Sequence, residues 1–257
     1  MKIIVIGNRG AISTALKKYD NYLFLNNLEE IKSNKIFTDV KTVIYSRGYS
    51  HASPIHFFNS KKLIISNVIV PLEIFKNLDK FNINLFIYLS TNKIKYYELY
   101  INFFILKKYI KLFQPYLWSK FQGEYYLSNF SKISNCKLLI LRLPPIIGTI
   151  PKGKLKYIIK YYKFFHFFKF IIPNIKIKFL SITKLNNFFI KLDNNNFIDK
   201  FDHLNDYIDT ISLHVLIDLI FLINKNVNDE NNCSLNLEIL NNDFIKDLTF
   251  TIKQKYS

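Results

Sequence analysis

Short apolar runs alternate with longer amphipathic segments through the first half of the chain. The runs predict strands, and the amphipathic segments between them predict helices. The strands are predicted at Lys2–Ile6, Tyr22–Leu25, Thr42–Ser46, Leu85–Ser90 and Lys137–Leu143, and the helices near Ala11–Lys18, Asn67–Lys80 and Tyr116–Asn129. This alternation is typical of an α/β chain whose parallel sheet is covered by helices on both faces. Right-handed crossovers then predict a doubly wound sheet.

The pattern changes after Pro144 and Pro145, where Lys, Tyr and Phe become crowded. The second half predicts a helical region at 152–170, a strand at Lys176–Leu180 and helices at Thr183–Leu192 and Thr210–Ile223. We therefore expect a first domain at 1–150 and a small α+β lobe at 151–257, interleaved with the first and not independent. The short interval between Leu25 and Thr42 predicts that the usual intermediate strand and helix are shortened or missing.

Charge adds a preference for anionic ligands. The 257-residue chain carries a formal net charge of +17, and such an excess is found in proteins that bind nucleic acid or anionic membranes. The abundant residues, Lys, Asn, Ile, Phe and Tyr, all have A/T-rich codons, so mutational bias is an alternative explanation. We favour the bias, and we expect no specific nucleic-acid partner.

Other features narrow the class of protein. Cys136 and Cys233 lack metal-ligand spacing, so no metal site is predicted, and Cys136 lies beside an apolar run as a buried thiol would. The longest apolar stretch, Tyr207–Asn224, is interrupted by two aspartates and a histidine, so it does not predict a membrane span. The N-terminus has no signal-peptide layout. Together these features predict a cytoplasmic protein.

The residues after the first strand form a candidate phosphate loop. Gly7–Ser13 reads Gly-Asn-Arg-Gly-Ala-Ile-Ser. Gly7 permits a tight turn, and Gly10 lets the backbone approach a pyrophosphate. The third glycine of such a loop packs helix against strand, and the small Ser13 can replace it. The position of the motif directly after a strand predicts dinucleotide binding in a Rossmann-like fold.

Two features predict NADP(H) in preference to NAD(H). The second strand ends Leu25-Asn26-Asn27-Leu28 without the acid that would hydrogen-bond the adenosine ribose of NAD. Arg9, just before the second glycine, could clamp a 2′-phosphate. The alternative is that Arg9 is one solvated charge among 36 basic residues.

The catalytic candidates are Thr91, Tyr116 and Lys120. Tyr116 and Lys120 are spaced i and i+4 and share a helix face, in the segment Pro-Tyr-x-x-Ser-Lys that Glu124 follows. A lysine ammonium beside a phenol lowers the phenol pKa, and the phenol can then move a proton while a hydride moves to or from nicotinamide. Thr91 ends a strand at the edge where ligands bind in such folds. Its alternative role is to satisfy a local backbone group.

The order of these motifs, completed by Asn67-Val68 and by Leu141–Gly148, resembles extended short-chain dehydrogenases/reductases of the NAD-dependent epimerase/dehydratase group. The resemblance covers roughly residues 1–150. The short segment after the second strand is similar to dTDP-4-dehydrorhamnose reductases, and Gly-x-Arg-Gly is similar to GDP-fucose synthases. Both are reductases, which favours reduction over epimerisation.

The resemblance implies a site, a substrate class and an assembly. It implies catalysis by Thr91, Tyr116 and Lys120 on a nucleotide-activated sugar, with Lys120 holding the cofactor ribose, and a homodimer formed through the helix of Tyr116. The implied cofactor contacts are Gly7, Arg9, Gly10, Ala11, Ile12, Ser46, Arg47, Gly48, Leu89, Tyr116, Lys120 and Pro144.

Three departures from the family pattern concern the cofactor and the substrate. Arg47 stands where a small apolar residue is usual, and Pro145 where an Asn is common. The late substrate-lobe segment, Phe179–Leu185, lacks its acids. The alternative function is therefore a catalytically degenerate Rossmann module that binds dinucleotide or RNA. Residues 152–170 could grip a nucleotide diphosphate through Lys152, Lys154 or Lys156, but we favour an apolar helix with a solvated edge there. Membrane docking by residues 152–175 rests on composition alone, and we expect none.

Overall fold

The computed structural model describes residues 3–26, 30, 40–48, 60–95, 114–150, 153–194, 204, 206–226 and 242–254. The chain divides into two compact units, Met1–Leu143 and Pro144–Ser257. The predicted short segment after the second strand falls mostly on residues 31–39, which lie outside the described residues.

The first unit alternates strands and helices as the sequence predicts. Its strands are β1 (Ile3–Ile6), β2 (Tyr22–Leu25), β3 (Thr42–Tyr45), β4 (Leu85–Thr91) and β5 (Lys137–Leu143). Its helices are α1 (Ala11–Leu16), α2 (Ser60–Ile64), a π-helical turn (Ile65–Ile69), α3 (Val70–Leu78), 3₁₀ turns at Asp79–Phe81 and Asn92–Ile94, and α4 (Pro115–Ser131).

The five described strands of this unit form one parallel sheet in the order β2-β1-β3-β4-β5. Every residue of β1 and β3 is buried, which explains why these strands are continuous apolar runs instead of alternating ones. Tyr45 and Tyr88 stack in the core with ring centroids 6.0 Å apart. The predicted doubly wound, Rossmann-like sheet is confirmed.

The helix predicted at Asn67–Lys80 begins earlier than expected. α2 already starts at Ser60, and Asn67 lies inside the π-helical turn. The Asn67 side-chain amide reaches Ser119 on α4, so this residue makes a tertiary contact in the middle of a longer helical segment.

The second unit is a small α+β arrangement. Its elements are β6 (Ile146–Ile147), α5 (Gly153–Lys160), α6 (Tyr162–Phe167), β7 (Lys176–Ser181), α7 (Ile182–Asn194), β8 (Ile208–Ser212), α8 (Leu213–Asn226) and α9 (Asn242–Lys253). β7 pairs parallel to β6 and antiparallel to β8. The start of the helix predicted at Thr210 was wrong, since β8 extends to Ser212 and pairs along most of β7. The sequence analysis also missed β6 and α9.

A buried aspartate organises the second unit. Asp247 on α9 is 4% exposed, and its Oδ2 accepts hydrogen bonds from the Ser181 hydroxyl at 2.5 Å and from the Thr183 backbone N–H at 3.1 Å. These donors lie in the segment that lacks its own acids. The missing negative charge therefore comes from a residue more than sixty positions later, which local sequence patterns could not indicate.

Replacing Asp247 by Ala is expected to lower the free energy of unfolding by about 2–3 kcal/mol, because two donors at the start of α7 lose a charged acceptor. Asp247→Asn keeps one acceptor oxygen and should cost less than the alanine variant. Urea unfolding followed by circular dichroism measures the series. Equal stability of all three proteins would contradict the capping role.

Candidate active site at the carboxyl edge of the parallel sheet

Strand order locates the ligand edge of the sheet. The chain leaves β1 on one side toward β2, and β3 lies on the other side of β1. The order in which strands are added to the sheet therefore reverses between β1 and β3, although the strands stay parallel. In open parallel sheets ligands bind outside the carboxyl ends of the strands at this reversal. The loops that follow β1 and β3, residues 7–10 and 46–48, are those in which the sequence predicts cofactor contacts.

These two loops are in contact. Gly7 has φ +106°, and a Cβ there would lie 2.6 Å from the Arg47 Cα, so only glycine fits this turn. Ser13 is fully buried at the position of the third glycine, and its hydroxyl donates to the Ser46 hydroxyl at 2.9 Å. The serine substitution therefore adds a link between α1 and the loop after β3.

The end of β2 carries two opposite charges. The Arg47 guanidinium donates to the Asn26 carbonyl at 2.9 Å, and the Glu30 carboxylate accepts from the Asn26 backbone N–H at 2.8 Å. Residues 25–28 contain no acid, as the sequence analysis says. In the folded chain, however, the Glu30 carboxylate lies against Asn26, so the end of β2 does have an acid beside it. Arg47, foreign to the family pattern, lies where an adenosine ribose is held in such folds.

The other predicted cofactor contacts of the loop after β1 are Arg9, Gly10, Ala11 and Ile12. Arg9 is exposed, Gly10 is partly buried, and Ala11 and Ile12 form the first turn of α1. A Cβ on Gly10 would lie 3.3 Å from the Ser46 carbonyl oxygen. The glycine thus lets the loops after β1 and β3 run close together.

Lys120 reaches from α4 to the same edge. Its side chain is almost fully buried, and Nζ donates to the Leu89 carbonyl at 2.8 Å and lies 4.5 Å from the centroid of the Tyr88 ring. A Cβ on Gly48 would lie 2.6 Å from this Nζ. The structure therefore brings Lys120, Leu89 and Gly48 together, as three of the residues that the sequence selects for cofactor contact.

Burial changes the pKa of both members of the Tyr-x-x-x-Lys pair. It lowers the pKa of Lys120 to about 7, although the Glu124 carboxylate partly opposes this shift. It raises the pKa of Tyr116 to about 12. The expected lowering of the phenol pKa by Lys120 is not found in the ligand-free protein, where the Lys120 ammonium is bonded to Leu89 instead. Tyr116 is therefore a protonated acid at neutral pH.

Asn67 connects the π-helical turn to the helix of Tyr116. Its Nδ2 donates to the Ser119 hydroxyl at 2.8 Å, and that hydroxyl donates to the Tyr116 carbonyl at 2.8 Å. The Tyr88 hydroxyl donates to the Asn67 carbonyl at 2.8 Å. Single π turns are frequent at functional sites. The sequence analysis used Asn67 only as a helix start and missed this link.

Glu124 and Arg142 join α4 to β5. The Glu124 carboxylate accepts from Arg142 Nη2 at 2.6 Å and from Nε at 3.0 Å, and its side chain is only 7% exposed. Such a two-pronged pair fixes orientation as well as distance. It holds the helix that carries Tyr116 and Lys120 against the sheet.

Replacing Glu124 by Gln is expected to lower the free energy of unfolding by about 2–4 kcal/mol, because the partly buried Arg142 guanidinium loses the negative charge of this pair. The double variant Glu124→Gln/Arg142→Met should recover part of the loss. Thermal unfolding of the two single variants, the double variant and the parent gives the coupling energy. Additive losses would show that the pair contributes no coupling.

The end of β4 supplies two hydroxyls. Thr91 Oγ1 accepts weakly from the Lys93 N–H at 3.4 Å at the start of the 3₁₀ turn against which α4 packs. This is the local role that the sequence left open beside catalysis. Ser90 is 7% exposed, and its hydroxyl has no hydrogen-bond partner within the described residues. Ser90 is thus a second hydroxyl candidate that the sequence analysis passed over.

The remaining sequence predictions concern the two prolines after β5, the cysteines, membrane spans and metal sites. Pro144 is buried and Pro145 exposed, and both belong to the second unit. Cys136 is buried, while Cys233 lies outside the described residues. Within the described ranges no helix has the length and apolarity that a bilayer span requires, and no three metal-binding side chains cluster.

Comparison with known proteins identifies the fold. No protein-family model and no curated protein matches the sequence. Among solved structures, UDP-glucuronic acid 4-epimerase from Bacillus cereus, in complex with NAD, is 14% identical, with a TM-score of 0.59 and coverage of 100% of both chains. RMD from Pseudomonas aeruginosa, complexed with NADPH, is 16% identical, with a TM-score of 0.59 over 88% of this chain and 82% of that one.

The capsular polysaccharide assembling protein CapF from Staphylococcus aureus is 15% identical, with a TM-score of 0.59. The match covers 99% of this chain but only 65% of CapF. At these identities the comparisons establish the fold, which is the one predicted from the sequence.

Proposed function

We propose that this protein, which has the fold of the extended short-chain dehydrogenases/reductases, is an NADP(H)-dependent oxidoreductase that acts on a keto or hydroxyl carbon of a nucleotide-activated sugar. The observation that carries the proposal is the convergence of Lys120, Gly48 and Leu89 beside the two glycine-containing loops. The solved structures of similar fold include proteins crystallised with NAD and with NADPH. A cytoplasmic location and a homodimer remain predictions.

The loops after β1 and β3 run close together at Gly7 and Gly10, at the edge where dinucleotides bind in sheets of this strand order. When bound, the cofactor would supply the hydride. Lys120 would hold its ribose, since a buried ammonium beside Gly48 is placed to donate hydrogen bonds toward the same edge. That Pro144 borders the nicotinamide remains a prediction from the sequence.

Tyr116 supplies the proton in this proposal. A phenol whose pKa is raised to about 12 keeps its proton across the physiological range. It can therefore donate that proton to the oxygen of a keto sugar as the carbon is reduced. Thr91, or the neighbouring Ser90, would hydrogen-bond the same oxygen. In reduction the phenol acts as the acid, whereas the oxidative half of an epimerisation, the alternative reaction, would need it as the base.

Arg47 strengthens the preference for NADP(H). A 2′-phosphate at the end of β2 would meet the Arg47 guanidinium, with Arg9 on the neighbouring loop, whereas Glu30 would repel it. Two arginines against one glutamate predict that NADPH binds more tightly than NADH. Removing either arginine should lower the ratio of NADPH to NADH affinity, and removing the Glu30 charge should raise it.

Titration of nicotinamide fluorescence with NADPH and NADH at fixed ionic strength tests the proposal. Arg47→Ala and Arg9→Ala should weaken NADPH binding about tenfold each with little effect on NADH. Glu30→Gln should tighten NADPH binding, and Lys61→Ala, an exposed charge on α2, should leave the ratio unchanged. Preference for NADH would support the hypothesis that the protein is an epimerase. Binding of neither cofactor would favour the degenerate module that binds RNA.

A further inference from the structure

The second unit exposes a set of large apolar side chains along α6 and the turn after it. Phe167 is 73% exposed, Phe170 is 78% exposed and Ile171 is 65% exposed. We name this set the aromatic surface; it consists of Phe164, Phe167, Phe170, Ile171 and Ile175, each more than half exposed. Monomeric proteins seldom expose contiguous apolar groups of this size unless they bind something.

Phe168 joins two rings of the aromatic surface. Its centroid lies 4.6 Å from that of Phe164 and 5.0 Å from that of Phe167. These rings form one cluster at α6, and Phe170, Ile171 and Ile175 follow directly along the chain.

Polar contacts hold this part of the chain to α8. Lys169 Nζ donates to both Asp218 carboxylate oxygens, at 2.7 and 2.8 Å, and the His166 ring stacks on Phe221 with centroids 3.9 Å apart. One nitrogen of the His214 ring lies 2.7 Å from the Ile172 carbonyl. These contacts fix this part of the chain to α8, while the side chains of the aromatic surface remain exposed.

The segment that carries the aromatic surface has no acid of its own, and Asp218 on α8, which contacts this segment, is paired with Lys169. From Tyr125 to Leu192 the sequence contains no Asp or Glu. Lys156, Lys160 and Lys163 on α5 and α6 are exposed, next to or within the helix that carries the phenylalanines. A second copy of this chain would bring the same lysines face to face, so the charge argues against self-association.

We propose that the aromatic surface inserts into the interface of an anionic lipid bilayer, with the exposed lysines of α5 and α6 contacting the headgroups. Protruding Phe and Ile side chains gain from leaving water, and each lysine near an anionic bilayer adds to the attraction. RNA would also attract the lysines, but two of the five apolar side chains are isoleucines, which offer no ring for a base to stack on. The proposal is independent of the oxidoreductase activity.

Vesicle flotation tests the proposal on the full chain. The parent should float with phosphatidylcholine vesicles that contain phosphatidylglycerol and should not float with phosphatidylcholine alone. Phe167→Ser/Phe170→Ser should lower the partition coefficient by at least about tenfold. Lys160→Gln/Lys163→Gln should lower it by about fivefold per lysine.

Matched controls separate this surface from the general positive charge. Tyr126→Ser/Ile133→Ser removes two apolar side chains that are 46% and 79% exposed on the first unit, and Lys61→Gln/Lys62→Gln removes two exposed lysines there. Both should float like the parent. Circular dichroism melts of all variants establish that each one folds.

Three results would overturn the proposal. The first is absence of flotation with the anionic vesicles. The second is flotation that the phenylalanine variant and the first-unit controls reduce equally. The third is a phenylalanine variant that floats like the parent but has lost either the parent's binding to single-stranded poly(U) or a dimer that the parent forms in sedimentation velocity. This result would assign the surface to RNA or to a second copy.

Discussion

Replacing Tyr116 by Phe is expected to reduce turnover by about 10²–10⁴-fold, the range that a positioned acid contributes. The substitution removes the hydroxyl alone and keeps the ring, whose burial raises the pKa of the phenol to about 12. Binding of NADPH should stay nearly unchanged, because the ring fills the same space. Steady-state oxidation of NADPH in the presence of keto sugars linked to a nucleoside diphosphate measures the loss.

Tyr125→Phe is the matched control, since Tyr125 lies on the same helix but is 54% exposed. It should leave kcat and KM as they are. Ser90→Ala and Thr91→Val, compared in the same assay, assign the second hydroxyl to one of the two neighbours. Turnover of Tyr116→Phe equal to that of the parent would remove Tyr116 from the chemistry and favour the non-catalytic module.

Replacing Lys120 by Met is expected to abolish turnover and weaken NADPH binding, while it stabilises the ligand-free fold at low pH. Lys120 is 4% exposed, and burial lowers its pKa to about 7 from 10.5. Below about pH 7 the lysine is charged in both the folded and the unfolded protein, so the folded state bears the full cost of the buried charge. Between pH 7 and 10.5 only the unfolded state binds the proton, and this cost declines as the pH rises.

The stabilisation by Lys120→Met should therefore be largest at about pH 6, on the order of a few kcal/mol, and should shrink toward pH 10. The lost hydrogen bond to the Leu89 carbonyl subtracts a roughly constant amount at every pH. Denaturant unfolding across this range measures the difference, with Lys132→Met, an exposed lysine directly after the same helix, as the control. A stability change independent of pH would show that Lys120 is not a buried charge.

The strands of the first unit could be predicted from the sequence to within one residue. β1 and β3 are buried throughout, so their apolar runs are unbroken and their bounds are clear. The second half was harder, because α8 follows β8 directly within one largely apolar stretch. Only the pairing of β8 with β7 decides where the strand ends and the helix begins.

The candidate site divides in the same way. The spacing of Tyr116 and Lys120 determines that they share a helix face, and the glycine positions determine where the chain turns after β1. These relations act within one element or one turn, where backbone geometry depends on neighbours in the sequence.

The tertiary structure alone decided which charged and polar side chains lie around the candidate site and at the start of α7. It returned Glu30 to the end of β2, brought Arg47 to the same place, linked Asn67 to Ser119, and supplied Asp247 to a segment without acids. It also raised the pKa of Tyr116, where the sequence predicted a decrease, because desolvation depends on the atoms packed around the ring. Local spacing cannot encode contacts between distant residues, and burial and electrostatics arise from those contacts.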